Sequence, residues 1–240
     1  MSLWKGAWHI FRFEMRNSVF GLIGSFILIT YLVFITGSLL NGTLNGNDQG
    51  NFFGVIDFLY FCIIPIMGFL ITRGYLRTGG TDLVAAKIMA WRLLPITWNH
   101  IIAARLLQLI VISFFGQIYF FGLQYILLDA AQSITLLQYI CFALFWYGYA
   151  LVIGVTYIYW ELGFNGRQYM IASIAYIAVY AATAFTLYLL NIATVQNLIN
   201  AARQGQWLPT VAALVAAVII MPLGGRIIKA RLKKRSFFHT

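Results

Sequence analysis

Charge is what this 240-residue chain has least of. Asp, Glu, Lys and Arg make up 9% of it, against 62% hydrophobic residues. A water-soluble domain carries roughly 25% charged residues, so that class is excluded and the apolar excess needs lipid as its solvent. Acids are the scarcest group, six against sixteen Lys and Arg, for a net charge of +10. The cations flank apolar runs, which points to anionic inner-leaflet lipid and not to nucleic acid. Only two cysteines occur, Cys62 and Cys141. Both fall inside apolar runs, which excludes a disulfide framework and leaves packing roles. His9, His100 and His239 are scattered, and no HExxH or Cys pair exists, so no metal ligands are expected. No GxxxxGK[ST] occurs either: Gly79-Gly80-Thr81 lacks the lysine and reads as a turn, so the chain cradles no nucleotide phosphate itself. No Ser/His/Asp set shares one side of a membrane, and no enzyme or bound cofactor is expected. A cleavable signal peptide is not expected, because the first apolar run is too long for one.

What is present is a series of apolar runs. A spanning helix takes about 20 apolar residues, and six runs qualify: Ser18 to Leu40, Phe52 to Thr72, Ile101 to Leu128, Leu136 to Trp160, Gln168 to Leu190, and Leu208 to Leu223. Before them, residues 3–16 place Trp4, Trp8, Phe11 and Met15 on one helical face and Lys5, His9, Arg12 and Arg16 on the next. That pattern predicts an amphipathic helix lying in the membrane interface, with Glu14 free to pair with a nearby cation. Residues 191–207 read as a helical linker through Ile192, Val195, Leu198, Ile199 and Ala202. Pro209 suits the first turn of the last span, where its missing donor costs little. Residues 226–240 form a basic tail too polar to stay in lipid. The expected fold is therefore an all-α integral membrane protein in one domain, an interfacial amphipathic helix plus six transmembrane helices.

Orientation follows from the cations. With six spans, every Lys and Arg except Arg203 falls on one side of the membrane. The positive-inside rule makes that side cytoplasmic. Both termini and the loop 73–105 are expected in the cytoplasm of a multi-pass protein of the cell membrane, and residues 191–207 outside.

The loop from Arg73 to Arg105 holds five cations and one acid, Asp82. Within it Leu94-Pro95-Ile96-Thr97 stops one helix and starts another, since proline lacks the N–H and biases its predecessor away from helical torsions. Thr97 is placed to cap the helix beginning at Trp98. Asp57 is the one acid deep in a span, about 8 Å from its outer end at the helical rise. An intramembrane acid is a functional candidate, so Asp57 is either a cap or snorkelling group at the outer interface or part of a translocation path. Glu161, at a cytoplasmic helix end, pairs with Arg167 or meets a partner. Ala175, Ala178 and Ala182 mark a face for close helix approach, within the subunit or between subunits.

The stretch LLPITWNHIIAARLL, Leu93 to Leu107, resembles the turn-and-helix pattern between spans two and three in the permease subunits of type-2 ABC exporters. The amphipathic first helix, six spans and length are also similar to that family. The resemblance covers the whole chain as architecture and about 15 residues as motif, and Gly80-Thr81-Asp82 lies several turns before Pro95. It implies a membrane permease paired with a second copy or a related permease, driven by separate ATPase subunits that bind ATP-Mg. Asp82, Lys87, Trp91, Arg92, Leu94, Pro95, Ile96 and Thr97 would then form the coupling helix and its docking face. The aromatic spans suit an amphipathic or hydrophobic cargo such as an antimicrobial peptide, a drug or a lipid-like molecule. The alternatives are a stand-alone secondary transporter or channel, and a non-transporting membrane scaffold.

Overall fold

A computed structural model describes residues 3–17, 19–44, 53–69, 91, 96–127 and 134–235. Among the described residues lie eight helices: α1 (Leu3–Asn17), α2 (Val19–Leu44), α3 (Phe53–Ile66), α4 (Trp98–Leu127), α5 (Leu136–Gly163), α6 (Gly166–Leu189), α7 (Thr194–Arg203) and α8 (Leu208–Lys234). Five are long and apolar enough to cross a membrane, namely α4, α5, α6, α8 and the stretch Gly21–Gly42 of α2.

Five of the six expected runs are met among the described residues, and the remaining one, Phe52 to Thr72, is represented by α3. It has 14 residues, about 21 Å at the helical rise, against a hydrocarbon core of about 30 Å. Pro65 sits in its last turn, and the chain leaves the helix through Met67–Phe69, where the amides of Gly68 and Phe69 donate to Pro65 O and Ile66 O. Proline also strands the carbonyl four residues back. That carbonyl, Phe61 O, accepts the Tyr149 hydroxyl at 3.3 Å instead.

Two apolar clusters occupy opposite ends of the bundle. One gathers Ile29, Val33, Tyr60, Ile64, Phe120 and Trp146 with the buried face of α7. The other gathers Ala7, Ile10, Trp91, Ile101, Ile158 and Ile228. The first and last described helices both reach the second cluster, so α1 and the C-terminal half of α8 share one end.

Small residues set the closest helix approaches, as they do in lipid where packing replaces the hydrophobic drive. A Cβ on Gly148 would lie 2.7 Å from the Ala213 backbone, and one on Gly224 would strike Val155. These contacts zip α8 along α5, and Thr210 adds a hydroxyl bond to Cys141 O at 3.0 Å. α8 carries Pro209 in its first turn and then runs unbroken through its cations to Lys234. The basic tail is thus largely a continuation of the last span. Outward faces remain apolar, as on Ile23, Ile27, Ile174, Phe185, Val215 and Val218, all exposed. Ala175, Ala178 and Ala182 lie on the exposed face of α6, and its buried positions are Ala172, Tyr180 and Ala184. That alanine face therefore does not pack within the subunit.

Candidate functional site

Three polar assemblies stand out from this apolar frame, one at each end and one between them. The first centres on Arg105. α4 spans 30 residues, about 45 Å, so its first turns extend past a hydrocarbon core of about 30 Å. Arg105 falls at that boundary. Its guanidinium donates to Glu14 Oε2 at 3.1 Å and to Gln108 Oε1 at 2.9 Å, and forms an ion pair with Glu161 Oε1 at 3.1 Å. Both carboxylates are buried. One planar fork thereby fastens α1, α4 and α5 together, the geometry that arginine supplies and lysine does not.

Glu14 is turned inward because α1 lays its small-residue side against the bundle. The helix buries Ala7, Ile10, Phe11 and Glu14, while Trp4 is 70% exposed and Trp8 and Phe13 also face outward. Gly6 and Ala7 let the backbone come close, and a Cβ on Gly6 would strike the His100 ring. The large aromatics stay on the flank, beside exposed Lys5, Arg12 and Arg16.

The same end gathers further cations on the last turn of α5. Arg235 donates to Leu162 O at 2.7 Å, and the Arg231 guanidinium lies 4.3 Å above the Phe164 ring. A helix C-terminus carries partial negative charge on its last carbonyls, which suits this convergence. Glu161 meets Arg105 here, while Arg167 is exposed at the start of α6.

Of the residues assigned to docking, Trp91, Ile96 and Thr97 are described; Asp82, Lys87, Arg92, Leu94 and Pro95 lie outside the described residues. Trp91 is buried among Ala7, Ile10 and Ile101. Thr97 stands just ahead of α4 and its carbonyl accepts from His100 N and Ile101 N. Its hydroxyl bonds to His100 Nδ1 at 2.7 Å, a side-chain contact across the first turn of α4.

The second assembly lies at the opposite end. Asp57 is only 1% exposed, and its two carboxylate oxygens accept Thr194 N at 2.7 Å and Val195 N at 2.9 Å. Those amides are orphan donors of the first turn of α7, which lacks a capping side chain of its own. A carboxylate from α3 therefore caps a helix 137 residues further along the chain. The far end of α7 is held too, because Gln138 Nε2 donates to Arg203 O at 2.9 Å. Gln138 is itself fixed in the capping box that opens α5 with Thr135. With Val195, Ile199 and Ala202 buried, α7 is a strap tied at both ends across α3 and α5.

The third assembly is inside the bundle. Gln124 Oε1 accepts from Tyr60 at 2.9 Å and Tyr139 at 3.1 Å, and its Nε2 donates to Thr36 at 3.3 Å. All four residues are buried, so one amide pins α2, α3, α4 and α5. The aromatic residues divide around it: Phe120, Phe121, Phe142 and Trp146 are buried, whereas Phe114 and Phe115 face outward.

Sequence reasoning found Asp57 as a candidate and missed Arg105, Gln124 and Gln138 as junctions. The usable signal was the scarcity of acids: Glu14, Asp57 and Glu161 are buried in an apolar chain, which requires partners for each. No group of His, Cys, Asp or Glu among the described residues is arranged to hold a metal ion. No protein-family model, curated protein or solved structure matches the chain. What these observations establish is an all-helical, multi-pass membrane protein with charged anchors at one end and a capped strap at the other.

Proposed function

We propose that this chain is the membrane permease subunit of an ATP-driven exporter of the type-2 ABC class, worked by separate ATPase subunits. The reading rests on the resemblance of Leu93–Leu107 to that family's inter-span turn. The observation that carries it is the Arg105 clamp. Arg105 closes the loop 73–105, and it is tied to α1 through Glu14 and to α5 through Glu161. A force applied to that loop would reach three helices at once, with no slack from a freely rotating side chain. Trp91, buried against α1 and α4, gives the loop a second hold on the bundle.

In this reading ATP closure of the partner ATPases pushes the coupling helix, and Pro95–Arg105 passes the motion to α4. Asp82, Lys87, Arg92, Leu94 and Ile96 form the docking face, with the termini and Arg167 on the same cytoplasmic side. A second permease, identical or related, completes the membrane part. The cargo is amphipathic or hydrophobic, in keeping with aromatic, apolar spans. ATP-Mg binds the partner and not this chain. Pro95→Ala combined with Thr97→Ala softens the lever and is expected to leave ATP turnover in place while export falls. Export unchanged in that double variant would reject the lever.

A further inference from the structure

On α4, Ser113, Gln117, Phe120 and Gln124 follow one another at i, i+4, i+7 and i+11, a single inward stripe. Gln124, at the α7 end, has its amide fully engaged. The two polar residues below it do not. Among the described residues, the Ser113 hydroxyl, both the oxygen and nitrogen of the Gln117 amide, and Trp146 Nε1 have no hydrogen-bond partner. Exposure cannot explain this: Gln117 is 4% accessible, and Ser113 and Trp146 are fully enclosed.

These groups lie at neighbouring levels. α4 and α5 run antiparallel, with Phe121 beside Phe142 at 5.8 Å and Phe114 beside Tyr147 at 5.9 Å. That register sets Trp146 level with Gln117. Tyr60 touches both Phe120 and Trp146, so α3 closes the third side. Ser113 sits one turn deeper, where a Cβ on Gly68 would lie 2.6 Å from its Oγ at the break in α3. A buried polar atom without a partner costs about 1–3 kcal/mol, and hydrocarbon offers no substitute. Four such atoms on three side chains make a demand that one or two waters, each forming about three hydrogen bonds, meet in full.

We propose that Ser113, Gln117 and Trp146 hold water, and that with Gln124, Tyr60 and Tyr139 they form a hydrated inlet inside a single chain. From Gln124 to Ser113 it reaches about 16 Å along α4, half of a hydrocarbon core of about 30 Å. In this proposal its mouth faces the end that bears Asp57 and α7, because the polar stripe continues that way to Gln124, Tyr60 and Tyr139. Beyond Ser113, Leu109 and Ile112 are buried and apolar, which closes the inlet near mid-membrane. The inference does not depend on any ATPase or on a second copy of the chain.

The test is thiol accessibility in the full chain, purified and placed in lipid vesicles. With Cys62→Ala and Cys141→Ala as background, Ser113→Cys and Gln117→Cys are exposed to a small hydrophilic methanethiosulfonate and read by mass spectrometry. Both are expected to react at least tenfold faster than Phe115→Cys, which is 61% exposed on the outer apolar face. Rates equal to that of Phe115→Cys would overturn the inlet. A second measurement needs no cysteine. If Gln117 binds water, Gln117→Leu lowers the thermal midpoint; if its amide is merely stranded, the same change removes a buried cost and raises it, contradicting the proposal.

Discussion

Replacing Asp57 with alanine removes the cap on α7 and little else, which makes it the sharpest probe of the strap. Two amide bonds to a carboxylate are lost, at 2.7 and 2.9 Å. Bonds to charged groups contribute about 1.5–3 kcal/mol each, and loss of an ordinary side-chain cap costs about 0.5–2 kcal/mol. The two bonds act as one unit and are not additive, so about 3 kcal/mol is expected for opening of α7. With 1.4 kcal/mol per tenfold, this is roughly a hundredfold rise in its open population. Hydrogen exchange followed by mass spectrometry in lipid nanodiscs reads it directly. Peptides covering 192–204 should exchange about a hundredfold faster, while those from α5 and α8 keep their wild-type rates. Asp57→Asn, which keeps one acceptor, should fall between. Protection of α7 unchanged in Asp57→Ala would refute the cap as its anchor. Loss of protection throughout the bundle would refute the idea that α7 is a separable strap.

Arg105→Met should destabilise the purified protein by about 3–5 kcal/mol, because two buried carboxylates lose their partner; adding Glu14→Gln and Glu161→Gln should recover much of that in thermal denaturation. Gly148→Val should lower the thermal midpoint through overpacking of about 1–3 kcal/mol, since its side chain meets the backbone of Ala213 and has no room to turn away; Gly122→Val, with open space around its Cβ position, should leave the midpoint close to that of the wild type.

The long elements were legible because their signals are local. Hydrophobic runs bounded by turn residues gave α4, α5 and α6 within a few residues and the start of α8, which continues through the basic tail to Lys234, and the spacing of Val195, Ile199 and Ala202 gave α7. The turn at Met67–Phe69 was not legible. The apolar run of α3 continues to Thr72, and nothing in residue type alone says that Gly68 lies against Ser113 or that the turn begins there. The amphipathic helix α1 was legible from its spacing, and its outward Trp4 and Trp8 suit an interfacial helix; the close approach of Gly6 and Ala7 to α4 was not. The junctions at Arg105, Gln124 and Asp57 join different helices through residues from 15 to 138 positions apart, and no periodicity reports such a pairing. What the chain did announce was that its few acids had to be satisfied somewhere.

The measurement that bears most directly on the function is purification of the tagged chain from its native membrane, with ATP turnover followed through every step. The account predicts an ATPase that stays with the chain in fixed proportion and loses its link to export, but not its turnover, when Pro95 and Thr97 are both alanine. A chain that purifies free of any ATPase, yet moves cargo in reconstituted vesicles, would contradict it.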